Sequence, residues 1–292
     1  MSPRNVIIFG ATGAVGAMTA LTAHQQGAKV SLAVRNLAKP IPTLEGISAQ
    51  KVQADLSKPG TVKAAVQQTG ATVAYLYAVF ETQDYMRGGI ESVVFLSSCS
   101  VEGDPRDVPE SNFIANIHAK IEITLEEIFG IHSFVTLRPG FFTSNLLWFK
   151  TAILKGDVPV PLPEAVFDYI APEDIGRVSG SILAHGSDQH IVRLFGAALR
   201  PIQEAFQVVG QALGINVKTT KVALDQAAEK MLASGIPEDI TGITILNATE
   251  HPSGEFPYGG VSEGVPNIRK FTQREPVTLE QWVEANKDKF AA

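Results

Sequence analysis

Asn5-Val6-Ile7-Ile8-Phe9-Gly10-Ala11-Thr12-Gly13-Ala14-Val15-Gly16 reads as a strand running through a glycine-rich turn into a helix. The apolar run Val6 to Phe9 is unbroken, the pattern of a strand covered on both faces of a parallel sheet. Each glycine has its own physical task. Gly10 lets the chain turn sharply, Gly13 lets backbone approach a phosphate, and Gly16 lets the new helix pack against the strand. The helix, residues 14–26, ends at Gly27, and its first turn offers unpaired N–H groups at Thr12, Gly13, Ala14 and Val15 to an anion. Strand, turn and helix in this order predict a site for the pyrophosphate of a dinucleotide.

The second strand, Val30 to Val34, ends at Arg35-Asn36. A site for NAD places an acid there to accept from the ribose 2′-OH, yet no Asp or Glu occurs between Ala28 and Glu45. Arg35, beside Asn36, instead offers a planar fork of donors to a 2′-phosphate, and Lys39 adds charge. The expected cofactor is NADP(H). A third strand, Ser48 to Gln53, runs into Ala54-Asp55-Leu56, which puts Asp55 and Leu56 beside the adenine; Ser57 then caps a helix that has Pro59 in its first turn and closes at Gly70.

The 292 residues carry a net charge of −6, without a basic cluster, so no nucleic-acid partner is expected. Cys99 is the one cysteine, which excludes an intrachain disulfide and a multi-cysteine zinc site and suits a reducing compartment. No apolar stretch reaches the ~18 residues of a membrane span, and the N-terminal run is too short for a signal peptide. A cytoplasmic protein with no membrane partner and no metal is the expectation.

Strand four, Val73 to Phe80, is joined to strand five, Ser92 to Leu96, by Glu81–Glu91, a connection barely long enough for a parallel crossover; a stub of helix over Thr82–Arg87 is expected there. Strand five delivers Ser97-Ser98-Cys99-Ser100. A helix from Phe113 to Phe129 has an apolar stripe of Ile114, Ile117, Ile121, Leu125 and Ile128, with Lys120 flanking it and Gly130 ending it. Strand six, Ser133 to Leu137, delivers Arg138-Pro139-Gly140-Phe141-Phe142. Beyond an amphipathic segment at Leu146–Phe149, Pro159, Pro161 and Pro163 suggest an irregular loop. A strand is expected at Phe167–Ile170, a helix from Pro172 to His185, helices at 201–213 and 224–233 around a strand near 216–222, and a final helix from Leu279; residues 247–267 read as a lid loop. The fold class is α/β: a doubly wound, parallel-sheet Rossmann domain over 1–145, continued by 170–200, with a smaller substrate lobe over 146–169 and 201–292.

With Gly10-Ala11-Thr12-Gly13-Ala14-Val15-Gly16, Val34-Arg35-Asn36, Val94-Phe95-Leu96-Ser97-Ser98, Lys120, Leu137-Arg138-Pro139-Gly140-Phe141-Phe142 and Ala171-Pro172-Glu173-Asp174-Ile175-Gly176 in that order, the chain resembles the NmrA-like family of atypical short-chain dehydrogenases. The resemblance covers nearly the whole length, most strongly to about residue 200. It implies NADP(H) at the glycine turn and Arg35, Lys120 at the nicotinamide ribose, and Pro139, Gly140, Phe141 and Phe142 along the nicotinamide; Ser97 and Ser98, which end a strand at the crevice, are expected to contact nicotinamide or substrate. It leaves three functions open: a reductase of C=N, C=C or C=O bonds in an apolar small molecule, a non-redox isomerase of secondary metabolism, and a cofactor-sensing regulator with a protein partner.

One departure bears on the chemistry. Typical short-chain dehydrogenases protonate the product through a Tyr four residues before the Lys, and here that position is Asn116, an amide that delivers no proton. Lys120, Ser98 and Tyr169 are the remaining catalytic candidates. Phe141, Phe142, Trp148, Phe256 and Tyr258 are candidates to line an apolar pocket, and His118 and Glu122, four apart on one helix, can pair. Gly260-Val261-Ser262-Glu263-Gly264 matches a hydrolase elbow pattern, but Pro257 before it and Pro266 after it argue against the required strand and helix.

Overall fold

The computed structural model describes residues 3–78, 89–255 and 259–291. In chain order the elements are β1 (Asn5–Phe9), α1 (Ala14–Gln25), β2 (Lys29–Val34), β3 (Gln50–Gln53), α2 (Pro59–Thr69), β4 (Val73–Tyr77), β5 (Ser92–Leu96), α3 (Phe113–Phe129), β6 (Phe134–Pro139), α4 (Lys150–Leu154), β7 (Asp157–Val160), β8 (Val166–Phe167), α5 (Pro172–His185), β9 (Ile191–Leu194), β10 (Arg200–Pro201), α6 (Ile202–Leu213), β11 (Lys218–Lys221), α7 (Leu224–Ala233), α8 (Glu238–Glu250), α9 (Val261–Thr272) and α10 (Leu279–Ala291). They form two compact units. The first comprises Met1–Pro139, Pro172–Leu194 and Gly260–Glu275; the second comprises Gly140–Ala171, Phe195–Gly259 and Pro276–Ala292.

The first unit is built on a parallel sheet of order β3-β2-β1-β4-β5-β6-β9. Strand order reverses between β1 and β4, the switch point at whose carboxyl ends ligands bind in open α/β sheets. Ile7 and Phe9 point to one face and join Val62 and Val66 of α2 and Ile121 and Leu125 of α3 in one core. Val6 and Ile8 point to the other face and are equally buried. On that side α1 and α5 lie almost backbone to backbone: a Cβ on Gly176 would stand 2.6 Å from Met18 Cβ, and one on Gly180 2.6 Å from Thr22 Cβ.

In the second unit, β7 pairs in parallel with β11, and β8 pairs antiparallel with β10. Its core gathers Phe149, Tyr169, Phe206, Met231, Trp282 and Phe290, with α6 packed on α10. Among the described residues no helix is long and apolar enough to cross a membrane.

Several sequence expectations are corrected. The residues read as a lid loop, 247–267, hold the end of α8 and the start of α9, and 260–275 packs with β9 and α5 in the first unit rather than in the lobe. β9 supplies a seventh strand that was not anticipated. Pro159 lies in strand β7, not in a loop; that strand's other neighbour position is open, so a missing donor is tolerated there. Lys58, not Ser57, is the N-cap of α2, because the Ser57 hydroxyl and N–H both donate to Asp55 Oδ1, at 2.8 and 3.0 Å. α3 has the expected bounds, but its buried face is Ala115, Ala119, Ile121, Glu122 and Leu125, and Ile114 is exposed. α9 begins at Val261, so Ser262 lies inside a helix that continues through Pro266 and forms no nucleophile elbow. The end of strand four beyond Ala78, the stub at 82–87, Phe256 and Tyr258 lie outside the described residues.

Candidate functional site

Two places concentrate the candidate residues, one in each unit. In the first, β1 ends at Phe9 and the chain turns at Gly10, whose φ of +74° is a left-handed conformation that L side chains avoid. A Cβ on Gly10 would also meet Tyr77 Cε1 at 2.7 Å. The Gly13 N–H donates to Gly10 O at 2.9 Å, and a Cβ on Gly16 would stand 2.3 Å from that same oxygen. α1 then opens on Gly13 with no side-chain cap and no acid in its first turn. Thr12, Gly13 and Ala14 are exposed, whereas Ala11, Val15 and Gly16 are buried. An exposed, uncapped and unacidified helix start beside a cradle no Cβ can enter fits an anionic pyrophosphate.

At the next strand end Arg35 and Asn36 are exposed. Asn36 Oδ1 accepts from the Ala38 N–H at 2.9 Å, which shapes the loop rather than presenting the amide to a ligand. The Arg35 carbonyl accepts from Gln53 Nε2 at 3.1 Å, and its guanidinium lies within electrostatic reach of Asp55 at the neighbouring strand end. The Asp55 carboxyl is held below the usual range, chiefly by the hydroxyl of Ser57. Leu56 is buried in the first unit's core, so its side chain is a packing group and only its backbone remains for an adenine contact.

The carboxyl ends of β5 and β6 are joined by a buried ionic cluster that the sequence reading missed. The Arg138 guanidinium donates from Nη2 to Glu122 Oε2 at 2.6 Å, from Nε to Glu122 Oε1 at 3.2 Å and from Nη1 to Gly103 O at 3.2 Å, with both charged side chains 1–2% exposed. Ser97 donates to Glu122 Oε1 at 2.5 Å. This overturns two expectations. The Ser97 hydroxyl donates to Glu122 rather than to nicotinamide or substrate, and Glu122 pairs with Arg138 rather than His118. His118 Nδ1 lies 2.8 Å from Ile114 O, and burial lowers its pKa. Ser98 is half-buried, and its hydroxyl accepts from the Ser100 hydroxyl and N–H at 2.8 and 3.2 Å, leaving its own proton to donate. Lys120 is exposed, one turn from half-buried Asn116 on α3.

In the second unit, residues 140–142 are clamped by a buried carboxylate. Asp168, 1% exposed, accepts from the Phe141 N–H at 2.7 Å and the Gly196 N–H at 2.9 Å. A Cβ on Gly140 would stand 2.3 Å from Asp168 Oδ1, so glycine is required for the carboxylate to fit. Burial raises the Asp168 carboxyl to about 6, against the two hydrogen bonds, which lower it. The segment is further tied by Ile170 N–H to Phe141 O at 2.8 Å and Thr143 N–H to Ile170 O at 2.9 Å. Tyr169, a proposed substitute acid, sits in the core at 2% exposure with φ +50°; its hydroxyl has no hydrogen-bond partner and burial drives its pKa well above the ordinary value. A phenol sealed from water and from polar groups is a packing residue.

Phe141 stacks at 4.5 Å between ring centroids on Phe167 and meets Trp148 edge-on at 6.4 Å. Together they wall a cavity of about 70 Å³ whose opposite wall is formed by α8. Of the aromatic candidates, Phe141 and Trp148 line it; Phe142, bridged to Ile170, does not.

A seven-stranded parallel sheet reversing at β1/β4, with a glycine turn that excludes a Cβ there, defines a doubly wound Rossmann protein of the atypical short-chain dehydrogenase type. No protein-family model matches the chain. It is 30% identical to the nitrogen metabolite regulation-like protein bik4 of Gibberella fujikuroi over 314 residues, covering 96% of this chain and 95% of that protein. It is also 25% identical to an NAD(P)H azoreductase of Xenophilus azovorans over 297 residues, 98% and 99% of the two chains. Among solved structures, the triphenylmethane reductase of Citrobacter sp. superposes with a TM-score of 0.75 at 14% identity, covering 98% of this chain and 99% of that one. The chain therefore belongs to the NmrA-like family.

Proposed function

We propose that this chain is an NADPH-dependent reductase whose substrate is an apolar, electron-poor aromatic molecule. The observation that carries the reading is the glycine turn, closed to any Cβ at Gly10 and Gly16 and followed by the bare start of α1, with Arg35 in place of an acid at the next strand end. The free N–H groups of Ala14 and Val15 at the start of α1 hold the pyrophosphate, the Gly13 N–H being taken by Gly10 O, and Arg35 holds the 2′-phosphate. NADPH bound there supplies a hydride. Lys120 hydrogen-bonds the nicotinamide ribose, Ser98 donates to the carboxamide or substrate, and residues 139–142 line the nicotinamide. The apolar part of the substrate takes the cavity of Phe141, Trp148 and Phe167. Asn116 delivers no proton, so the favoured acceptor is one whose product needs none or takes it from water, such as an iminium or another electron-poor cation. The azoreductase relative supports the reductase reading, not the choice of acceptor.

A second reading has its own support in the name of the 30% identical relative: a regulator that senses the cofactor and performs no chemistry. Calorimetric titration with NADPH and NADH, followed by NADPH oxidation in the presence of a cationic triarylmethane dye, an azo dye or a quinone, separates the two. Oxidation matched to acceptor loss supports the reductase. Tight binding with complete inertness across the panel refutes it and leaves the regulator. Arg35→Ala is expected to weaken NADPH by roughly ten- to a hundredfold, the worth of a charge-assisted hydrogen-bond set (~1.5–3 kcal/mol), while leaving NADH unchanged. Equal losses for the two nucleotides would refute the assignment of Arg35.

A further inference from the structure

The cavity of the second unit is apolar on three sides, and its fourth side changes character along α8. Ile240, Ile243, Thr244, Asn247 and Ala248 follow one another at spacings of three, one, three and one, which puts these five on one face of the helix; His251 is the C-cap of α8, and all six line the cavity. The N-terminal half of this face is branched aliphatic. The C-terminal end presents the amide of Asn247 and, just past the last turn, the imidazole of His251.

Both are half-buried, and neither side chain has a hydrogen-bond partner among the described residues. Their backbones are held by the His251 N–H donating to Asn247 O at 2.9 Å and the Gly254 N–H donating to His251 O at 3.0 Å. Thr244 is different: its hydroxyl already donates to Ile240 O at 2.8 Å and adds only lone pairs. Two polar side chains without partners, on the wall of a cavity whose remaining lining is apolar apart from Thr244 and the exposed Glu255, lower the affinity for a wholly apolar ligand. They become favourable when a ligand brings its own polar atom to that edge.

We propose that Asn247 and His251 are specificity-determining residues that select a flat aromatic ring bearing a hydroxyl or carbonyl oxygen at one edge. This rests on the reading of the cavity as the substrate's site. The ring stacks against Phe141 and Phe167 and meets the edge of Trp148, and its oxygen faces the Asn247 amide and the His251 imidazole. Substrates of this class are quinonoid aromatics and electron-poor arenes that carry a hydroxyl or carbonyl oxygen.

Phenol and toluene, nearly equal in shape and differing in OH for CH3, are the probes, with binding measured by calorimetry on the full chain. An apolar cavity alone prefers toluene. The wild-type protein is expected to bind phenol at least as tightly as toluene, and the double variant Asn247→Leu/His251→Leu to shift the ratio toward toluene by about tenfold, the loss of one or two hydrogen bonds (~1.4 kcal/mol in all), with toluene affinity kept. If both probes bind and the ratio is the same in wild type and variant, the selective edge is overturned and the apolar cavity stands. If neither probe binds the wild type, both the edge and the cavity's role as the substrate site fall, while NADPH binding remains separately measurable. Should the double variant lose toluene too, the single variants carry the comparison, and an unchanged ratio in both overturns the proposal.

Discussion

Replacing Asp168 with Asn tests whether a buried charge holds residues 140–142 in place. The carboxylate is 1% exposed, accepts from two backbone N–H groups and has no ion-pair partner among the described residues. Burial raises it from the ordinary 3.8 to about 6. A shift of about two units corresponds to ~3 kcal/mol. The sign follows from proton counts. Between pH 3.8 and 6 the folded chain keeps a proton on Asp168 that the unfolded chain has released, so this group's contribution to stability falls as the pH rises through that window and is constant above it. Burial of the ionised form therefore costs about 3 kcal/mol at neutral pH.

Asp168→Asn removes the titration. It also turns an amide NH2 toward one of the two backbone donors, leaving that donor unsatisfied at a cost of ~1–3 kcal/mol. Near neutral pH these two effects roughly cancel, so the informative quantity is the slope. Urea unfolding followed by the fluorescence of Trp148 and Trp282, from pH 5 to 7.5, should show wild type losing about 1.5 kcal/mol relative to the variant, roughly half the full linkage. Parallel pH profiles would refute the claim that burial raises the pKa of this carboxylate, and a wild type that gains on the variant as pH rises would reverse the sign of the linkage.

Gly16→Ala places a Cβ 2.3 Å from Gly10 O, a backbone atom fixed by its own hydrogen bond, and is expected to abolish detectable NADPH binding by calorimetry and to lower stability by at least the ~1–3 kcal/mol of an overpacked site. Glu122→Gln leaves the Arg138 guanidinium buried without its counter-charge; a loss of ~3–5 kcal/mol in urea unfolding is expected, and a change below 1 kcal/mol would show the pair to be solvated. Tyr169→Phe removes a buried hydroxyl with no partner, so stability should stay level or rise by up to ~1 kcal/mol with NADPH oxidation unchanged; a large fall in kcat would restore Tyr169 as a catalytic acid.

The first half of the first unit was legible because its signals are local. Unbroken apolar runs and glycines at β1, and a periodic α3 between Asn112 and Gly130, need no tertiary knowledge. What was missed depends on distant partners. β9 has only four residues, and its place is set by pairing with β6. α8 is rich in β-branched Ile and Thr with a glycine at 242, and α9 carries Pro266 inside it; both are poor helices by propensity that packing holds. The buried face of α3 turned toward Ala115, Ala119 and Glu122 because the alanines allow close approach and Arg138 draws the carboxylate inward. No spacing in the sequence indicates that the N–H groups of Phe141 and Gly196, 27 and 28 residues from Asp168, converge on it.

The same partners narrow the chemistry. A short-chain dehydrogenase that makes an alcohol must deliver a proton as the hydride arrives, and three of the groups considered for that task are withdrawn from it, which leaves Ser98 and Lys120. Asn116 has no acidic proton, the Ser97 proton is held by Glu122 at 2.5 Å, and the Tyr169 phenol is sealed in the core. Glu122 is itself held by Arg138, so the Ser97–Glu122–Arg138 chain ends in a guanidinium that does not deprotonate and relays nothing. On the proposed reading, hydride is therefore taken up best by acceptors that gain stability from the hydride alone. Rates with a cationic triarylmethane dye, whose neutral product needs no proton, should exceed those with an equally apolar ketone, whose alkoxide does. A ketone reduced as fast as the dye would mean that a proton donor exists which none of Asn116, Ser97 and Tyr169 provides.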